Sequence, residues 1–488
     1  MKSIVIFVCI CLAVGSASAA APPDSTLIPD TPAGAAFRAF YAAYDDGSFA
    51  AFERFVGEHY RPDVDRRDKA GDWQELRDKY GPARLHAVSL DKPHDLELWM
   101  HGTITRAWFA VELILDPETN RIRAVGILQG ERPEGVSAER YADATLPLAL
   151  APYLQRMADT GYFAGTVLIA RGDSTLYDGA FGLADPARST PVRADTRFRI
   201  ASVTKMFTAV AIAQLAEAGA LDMDDPIGRV LPELPKDFGE TVTIAHLLTH
   251  RSGIELDGIA PFNAAKRAAP SAEALLGVQL RFLDALRSDG RFAPSFDYDY
   301  SNEGYDLAGL IVERVSGQRL PDYLAEHVLA RAGMNHTAYL APDTRREDLA
   351  VGLTHRADTN YRFVEAAVPA DHFYAHAALG SSGLASTAGD LRRFAAALFR
   401  SDRLLTPASR ARLVSAQVTL GPTEAYGYGV QRRTWSGALS LGHDGGMEGA
   451  SAELRYFPDA DVTLVVLANR RTIASTVADE ITTRLDLP

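Results

Sequence analysis

Three short stretches carry residue types able to do acyl-transfer chemistry. In FRIASVTKMFTAVAIAQL, Ser202 precedes Lys205 by three residues, so a hydroxyl and an amine share one face of a helix about one turn apart. A serine hydroxyl is a poor nucleophile until a neighbour takes its proton. Lysine, with a reference pKa of about 10.4, accepts that proton only where burial or a second cation lowers it. Met206, Phe207, Val210, Ile212 and Leu215 supply the burial. The plainer alternative is a Ser202 N-cap with Lys205 reaching to water, and by itself the pair does not choose between them.

Two further stretches bear on that choice. In FDYDYSNEGYDLAGLIVERVSG, Tyr300-Ser301-Asn302 stands in a polar loop before an apolar helix beginning near Tyr305. Tyr300 can share or relay the proton leaving Ser202, and Asn302 can hold Lys205 or a substrate amide. In LSLGHDGGMEGASAELRYF, His443-Asp444-Gly445-Gly446 is expected at the edge of a strand. Glycines there let an extended substrate approach the backbone, and the Gly446 amide can join the Ser202 amide as an oxyanion hole. A helix cap with packed tyrosines, and a glycine turn with an incidental histidine, are the alternatives for each stretch.

Taken in order, Ser202-Val203-Thr204-Lys205, Tyr300-Ser301-Asn302 and His443-Asp444-Gly445 resemble the S-x-x-K, Y-x-N and K/H-x-G motifs of the penicillin-recognising serine hydrolases, the serine β-lactamase and penicillin-binding-protein superfamily. The resemblance spans about residues 146 to 488. It extends to FAGTVLIARGDSTLYDGAFGLAD before the first motif, LLTHRSGI after it, and LGSSGLASTAGDLRRFAAAL (Leu379 to Leu398). It implies an α+β fold with an antiparallel sheet, terminal helices and a helical subdomain. It also implies an acyl-enzyme on Ser202, with Lys205 and Tyr300 catalytic, and Asn302, His443, Gly445 and Gly446 binding substrate.

A tyrosine opening the second motif is the pattern of class C β-lactamases, D-aminopeptidases and related esterases, and no separate deacylating glutamate motif is found. The departure is His443, where β-lactamases and peptidoglycan carboxypeptidases carry lysine. Histidine is mostly uncharged near neutral pH, and Asp444 adds a negative charge beside it. Esters and small peptides or amides, including D-amino-acid ones, are therefore the expected substrates. A β-lactamase or D-Ala-D-Ala carboxypeptidase is one alternative, and a non-catalytic sensor using the same pocket is another.

The elements around these motifs divide the chain. At 488 residues it exceeds what one core normally supports. Residues 1–19 have the layout of a signal peptide: Lys2, an apolar run from Ile4 to Val14, then Ala17-Ser18-Ala19 as the cleavage site. A periplasmic or secreted location follows, with no stable membrane insertion. Both cysteines, Cys9 and Cys11, fall inside that segment, so disulfides, thiolate metal sites and cysteine nucleophiles are not expected in a processed chain. Residues 30–130 read as a small α+β accessory unit, helices first and antiparallel strands after, with a general likeness to the cone-shaped folds related to nuclear transport factor 2. A polar linker, residues 131–145, joins it to residues 146–488.

Several classes drop out. The net charge of -13 opposes a phosphate backbone, so nucleic acid is not an expected partner. The composition, 47% hydrophobic and 23% charged, fits neither a fibrous nor a disordered chain. No G-x-S-x-G elbow, dinucleotide fingerprint or Walker loop occurs, and no cofactor is implied. His372 and His376 have a metal-ligand spacing but no accompanying glutamate motif, so metal is not expected; by the family resemblance, His246 and His250 are structural.

Overall fold

The computed structural model describes residues 27–129, 132–133, 135–136, 138–254, 256, 259–288, 296–340, 348–357, 363–367 and 379–488. The proposed signal segment with its two cysteines, and His372 and His376, lie outside the described residues.

The N-terminal unit starts with α1 (Pro32–Asp46), α2 (Phe49–His59) and α3 (Arg66–Tyr80). Side-chain caps set their starts: the Thr31 and Ser48 hydroxyls and the Asp65 carboxylate accept from free N–H groups of the first turns. The turn residues Asp45-Asp46-Gly47 break the helical run, and Gly47, with a φ of 69°, ends α1 in the left-handed region. Four strands follow as an antiparallel meander: β1 (Ala83–Lys92), β2 (Asp95–Gly102), β3 (Trp108–Leu115) and β4 (Ile122–Gln129). The sequence places β3 from Thr105, but Arg106 takes a φ of 59° in the preceding turn, so pairing begins later. Phe37, Phe40, Tyr44, Phe52 and Phe109 fill the core between helices and sheet. The Tyr44 and Tyr41 hydroxyls donate to Gly81 O and Ala83 O at 2.9 and 3.0 Å, tying α1 to the junction of α3 and β1.

Beyond α4 (Leu146–Asp159), an eight-stranded antiparallel sheet is assembled from both ends of the remaining chain. The hairpin β5 (Gly165–Arg171) and β6 (Ser174–Phe181) turns at Gly172. From the C-terminal part come β7 (Val418–Thr419), β8 (Glu424–Tyr426), β9 (Gln431–Trp435), β10 (Ala438–Met447), β11 (Ala450–Phe457) and β12 (Val462–Ala468). The sheet order is β7-β8-β9-β10-β11-β12-β5-β6. Every residue of β11 and β12 is buried, because α4 and the last helix cover one face and the helical part the other; this explains the near-continuous apolar sequence of β12, while the buried charges of β11 are paired, Arg455 Nε donating to Glu453 Oε1 at 2.8 Å.

The helical part centres on the helix Thr204–Glu217, buried on all sides from Thr204 to Ala213. A helix apolar around its whole circumference has to sit inside a core, and Phe207 stacks on Phe394 of the helix Ala388–Phe399 at 4.0 Å between rings. The stretch from Ser202 to about Arg412, which the sequence reads as largely helical and loop-rich, also contributes the short strands Ala338–Tyr339 and Leu384–Ser386 to a three-stranded sheet with Phe198–Arg199, the strand that leads into Ser202. Strands of two or three residues are too short to show a period of two in the sequence.

Candidate active site

Ser202 stands on a single 3-10 turn, Ala201–Val203, that runs directly into the helix Thr204–Glu217. The residue before it, Ala201, has a φ of 44°, a costly conformation for a residue with a β-carbon, held here by burial. Lys205 is wholly buried, and its Nζ lies 3.0 Å from Ser202 Oγ, 2.6 Å from Asn302 Oδ1 and 3.1 Å from Ser381 O. The two latter oxygens can only accept, so they hold two amine hydrogens. The remaining position faces Ser202, where the pair exists either as N–H donating to Oγ or as O–H donating to Nζ. Exchange between those states is a proton transfer without motion of any heavy atom. Lys205 therefore does not reach to water.

Tyr300 and Asn302 are brought in by the helix Asn302–Ser316. Ser301, between them, is its cap: Ser301 Oγ accepts from Gly304 N at 3.0 Å. Cap and polar motif are thus the same three residues. Tyr300 is 37% exposed and lies with its ring 4.8 Å from Lys205 Nζ and stacked on His250 at 4.2 Å.

The third stretch lies within strand β10, not at a strand edge: His443 to Gly446 pair with Leu454 to Ser451 of β11. Gly445 abuts the nucleophile turn so closely that a β-carbon would fall 2.3 Å from Ile200 O and 3.0 Å from Ser202 N. A β-carbon on Gly446 would meet nothing within 4 Å, because that residue borders the cleft.

His443 does not meet the expectation of direct substrate contact. Its side chain is fully buried, its Nε2 is 2.8 Å from Tyr426 Oη, and its Nδ1 is bonded to Asp444 O. The tautomers follow from the ends of a chain. Ser301 N–H donates to His250 Nδ1 at 3.0 Å, so His250 Nε2–H donates to Tyr426 Oη at 3.1 Å. Tyr426 then donates to His443 Nε2, and His443 Nδ1–H donates to Asp444 O. Burial pushes His443 down to about 4 and His250 well below its ordinary value, with Lys205 reinforcing both. This neutral strut runs from the second motif to the third. Spacing in the sequence did not single out Tyr426 or a functional His250; the only signal was LLTHRSGI as a familiar stretch.

Asp444 is not a free charge either. Gln431 Nε2 donates to Oδ1 at 2.8 Å and Arg433 lies 3.5 Å from Oδ2. Burial alone would raise this carboxyl, but the Arg433 guanidinium and the neighbouring donors bring it below its ordinary value.

Ser202, Tyr300, Gly445 and Gly446 open onto a cavity of about 380 Å³. Its far wall is made by Asp479 of the last helix, Ile473–Thr482, and by Lys79 of α3. A larger cavity of about 490 Å³ shares Glu424, Arg433 and Trp435 with it and extends to Arg132 and Arg140, but has none of the three motifs in its wall.

Residues 153–487 match the beta-lactamase family model. The chain belongs to that family. It is 30% identical to penicillin-binding protein 4* of Bacillus subtilis over 332 residues, covering 66% of this chain and 71% of that one. Esterase EstB of Burkholderia gladioli is 32% identical over 207 residues, 40% of this chain and 52% of the esterase. Among solved structures, a penicillin-binding protein from Bacillus halodurans superposes with a TM-score of 0.58 at 29% identity, covering 67% of this chain and 98% of that one. D-amino acid amidase from Ochrobactrum anthropi shares the fold, with a TM-score of 0.59 at 23% identity, covering 69% and 97%. The chain is a serine hydrolase with the β-lactamase/transpeptidase-like fold.

Proposed function

We propose that the protein is an exported serine hydrolase that forms an acyl-enzyme on Ser202 from esters or small amides, D-amino-acid derivatives among them. The observation that carries this is the buried Lys205 amine, held by two fixed acceptors with its third position on Ser202 Oγ. Ser202 Oγ attacks the carbonyl carbon as its proton passes to Lys205 Nζ. The N–H groups of Ser202 and Gly446 face the developing oxyanion, and the proton returns to the leaving oxygen or nitrogen through Lys205 or Tyr300. Water then attacks the acyl ester along the reverse proton route, freeing acid and Ser202.

The substrate preference rests on His443. With that ring buried and neutral, the strand offers no cation where the motif's lysine form would put one. Simple esters and amides suit such a site better than β-lactams. An esterase among the relatives and an amidase among the structural neighbours support the same choice. Residues 30–130 act as an accessory domain in this reading, and among the described residues no helix is long and apolar enough to cross a membrane.

The test is a panel of p-nitrophenyl esters, D-alanyl peptides and nitrocefin against the wild-type protein and Ser202→Ala. We expect ester or D-alanyl turnover, little nitrocefin hydrolysis, and loss of on the order of a thousandfold or more in kcat for Ser202→Ala. Undiminished turnover by a folded Ser202→Ala protein would refute the acyl-enzyme. Fluorophosphonate labelling of Ser202 with no turnover of any panel member would favour a sensor.

A further inference from the structure

A buried ion-pair cluster that the acyl-transfer steps do not use lies one chain segment away from the catalytic amine. Lys266, on the helix Ala260–Ala268, has its Nζ 2.8 Å from Asp306 Oδ2 and 3.3 Å from Glu303 Oε1. All three residues are buried, and both acids stand in the first turns of the helix Asn302–Ser316. Burying ionised groups is costly compared with apolar side chains of the same volume, so packing alone gives no reason for three of them here.

Asp306 connects this cluster to the site. Its other oxygen, Oδ1, accepts from Ser381 N–H at 3.1 Å, and Ser381 O in turn accepts from Lys205 Nζ at 3.1 Å. Asn302, the second fixed acceptor of that amine, precedes Asp306 by four residues and so shares its helix face. One face therefore sets both acceptors, Asn302 directly and Ser381 through Asp306. A carboxylate is planar, so the ammonium that holds Oδ2 keeps Oδ1 turned to Ser381. The chain just before Ser381 is held as well: Gly380 O accepts from Thr208 Oγ1 at 2.7 Å, and a β-carbon on Gly380 would fall 2.1 Å from Tyr305 O.

We propose that Asp306, fixed by Lys266, is a positioning residue for the proton transfer at Ser202, holding the Ser381 carbonyl where it keeps the third position of the Lys205 amine on Ser202 Oγ. The inference rests on Ser202 and Lys205 as nucleophile and base. Without the anchor the carbonyl is free to leave the amine, which then turns its hydrogens and lone pair away from Oγ. Asp306 also sets a negative charge near the amine, which favours the protonated form. The other titratable groups beside Lys205 are His250, His443, Tyr300 and Tyr305, and the test leaves all four in place.

The experiment measures kcat, KM and the pH profile of p-nitrophenyl butyrate hydrolysis in the full-length wild type, Asp306→Ala, Asp306→Asn and Glu303→Gln, with kcat expressed per Ser202 titrated by a fluorophosphonate so that misfolded protein is not counted. Asp306→Ala should lower kcat about tenfold with KM within about twofold, and should move the acid limb of kcat/KM to lower pH, because the amine loses a neighbouring negative charge. Asp306→Asn, whose amide oxygen can still accept from Ser381 N–H, should lose less in kcat and move the limb the same way. Should Asp306→Ala not fold, the limb of Asp306→Asn carries the test. Glu303→Gln removes a charge from the same ammonium but leaves the bond to Ser381, and should cost kcat less than about threefold. Equal losses in Asp306→Ala and Glu303→Gln, an unchanged kcat in Asp306→Ala, or an acid limb that stays in place or moves upward in the Asp306 variants would overturn the proposal. If the ester does not turn over, the rate of fluorophosphonate labelling of Ser202 against pH is read instead, with the same pattern expected and the same results overturning it. Persistent turnover by Ser202→Ala would refute the nucleophile reading, whereas an inactive Ser202→Ala with a flat Asp306 series refutes only this inference.

Discussion

At the scale of single residues, the site works by leaving each proton donor with one acceptor. Lys205 illustrates it: Asn302 Oδ1 and Ser381 O fix two hydrogens and leave the third position to Ser202. Lys205→Arg should therefore be as damaging as Lys205→Ala. A guanidinium keeps the charge but cannot accept the serine proton, so kcat should fall on the order of a thousandfold, and fluorophosphonate labelling of Ser202 should slow along with it. Tyr426 illustrates the same economy without touching substrate. Tyr426→Phe strands a buried donor on His250 and a buried acceptor on His443, which should cost about 1 to 3 kcal/mol in urea melts. Because Tyr300 stacks on His250, the variant should also lower kcat more than it raises KM.

At the scale of elements, what was legible in the sequence is what had local period or local spacing. The meander β1 to β4, the hairpin at Gly172, the all-buried pair β11 and β12, and the helix carrying Lys205 are each announced by runs of five or more residues. So were the two catalytic-type residues one turn apart. What stayed hidden depends on register between distant segments. No local pattern says that β8 brings Tyr426 beneath His443, that the short strand Phe198–Arg199 pairs with Leu384–Ser386, or that α3 lends a lysine to the cleft. The motif glycine Gly445 shows why register matters. Its missing side chain lets β10 lie against the Ile200 carbonyl, which brings the Gly446 amide beside the Ser202 turn. Gly445→Ala should push the strand outward, and since a shift of about 1 Å can cost on the order of a hundredfold in rate, kcat should fall that far with the circular dichroism spectrum unchanged.

At the scale of the whole molecule, the buried histidines make stability depend on pH in one direction. His443 in the hydrolase part and His101 in the N-terminal unit are both pushed down to about 4 by burial, and His250, His246 and His59 are lowered for the same leading reason. Around His443 the Asp444 carboxylate opposes the shift, while Lys205 and Arg433 reinforce it. A group whose folded pKa lies below its unfolded one binds more protons when unfolded, so its stabilisation is complete above the unfolded value of about 6.5. It then declines as pH falls, and the loss levels off below about 4. For His443 alone the window corresponds to roughly 3 kcal/mol, taking 1.36 kcal/mol per pKa unit. Urea midpoints of the wild type should hold steady near pH 7.5 and drop between pH 6.5 and 4.5. His443→Asn, which removes the titrating ring but keeps a polar partner for Tyr426, should start less stable at pH 7.5 and lose less on acidification. A variant as acid-sensitive as the wild type would mean that proton uptake on unfolding is governed by groups other than this buried ring.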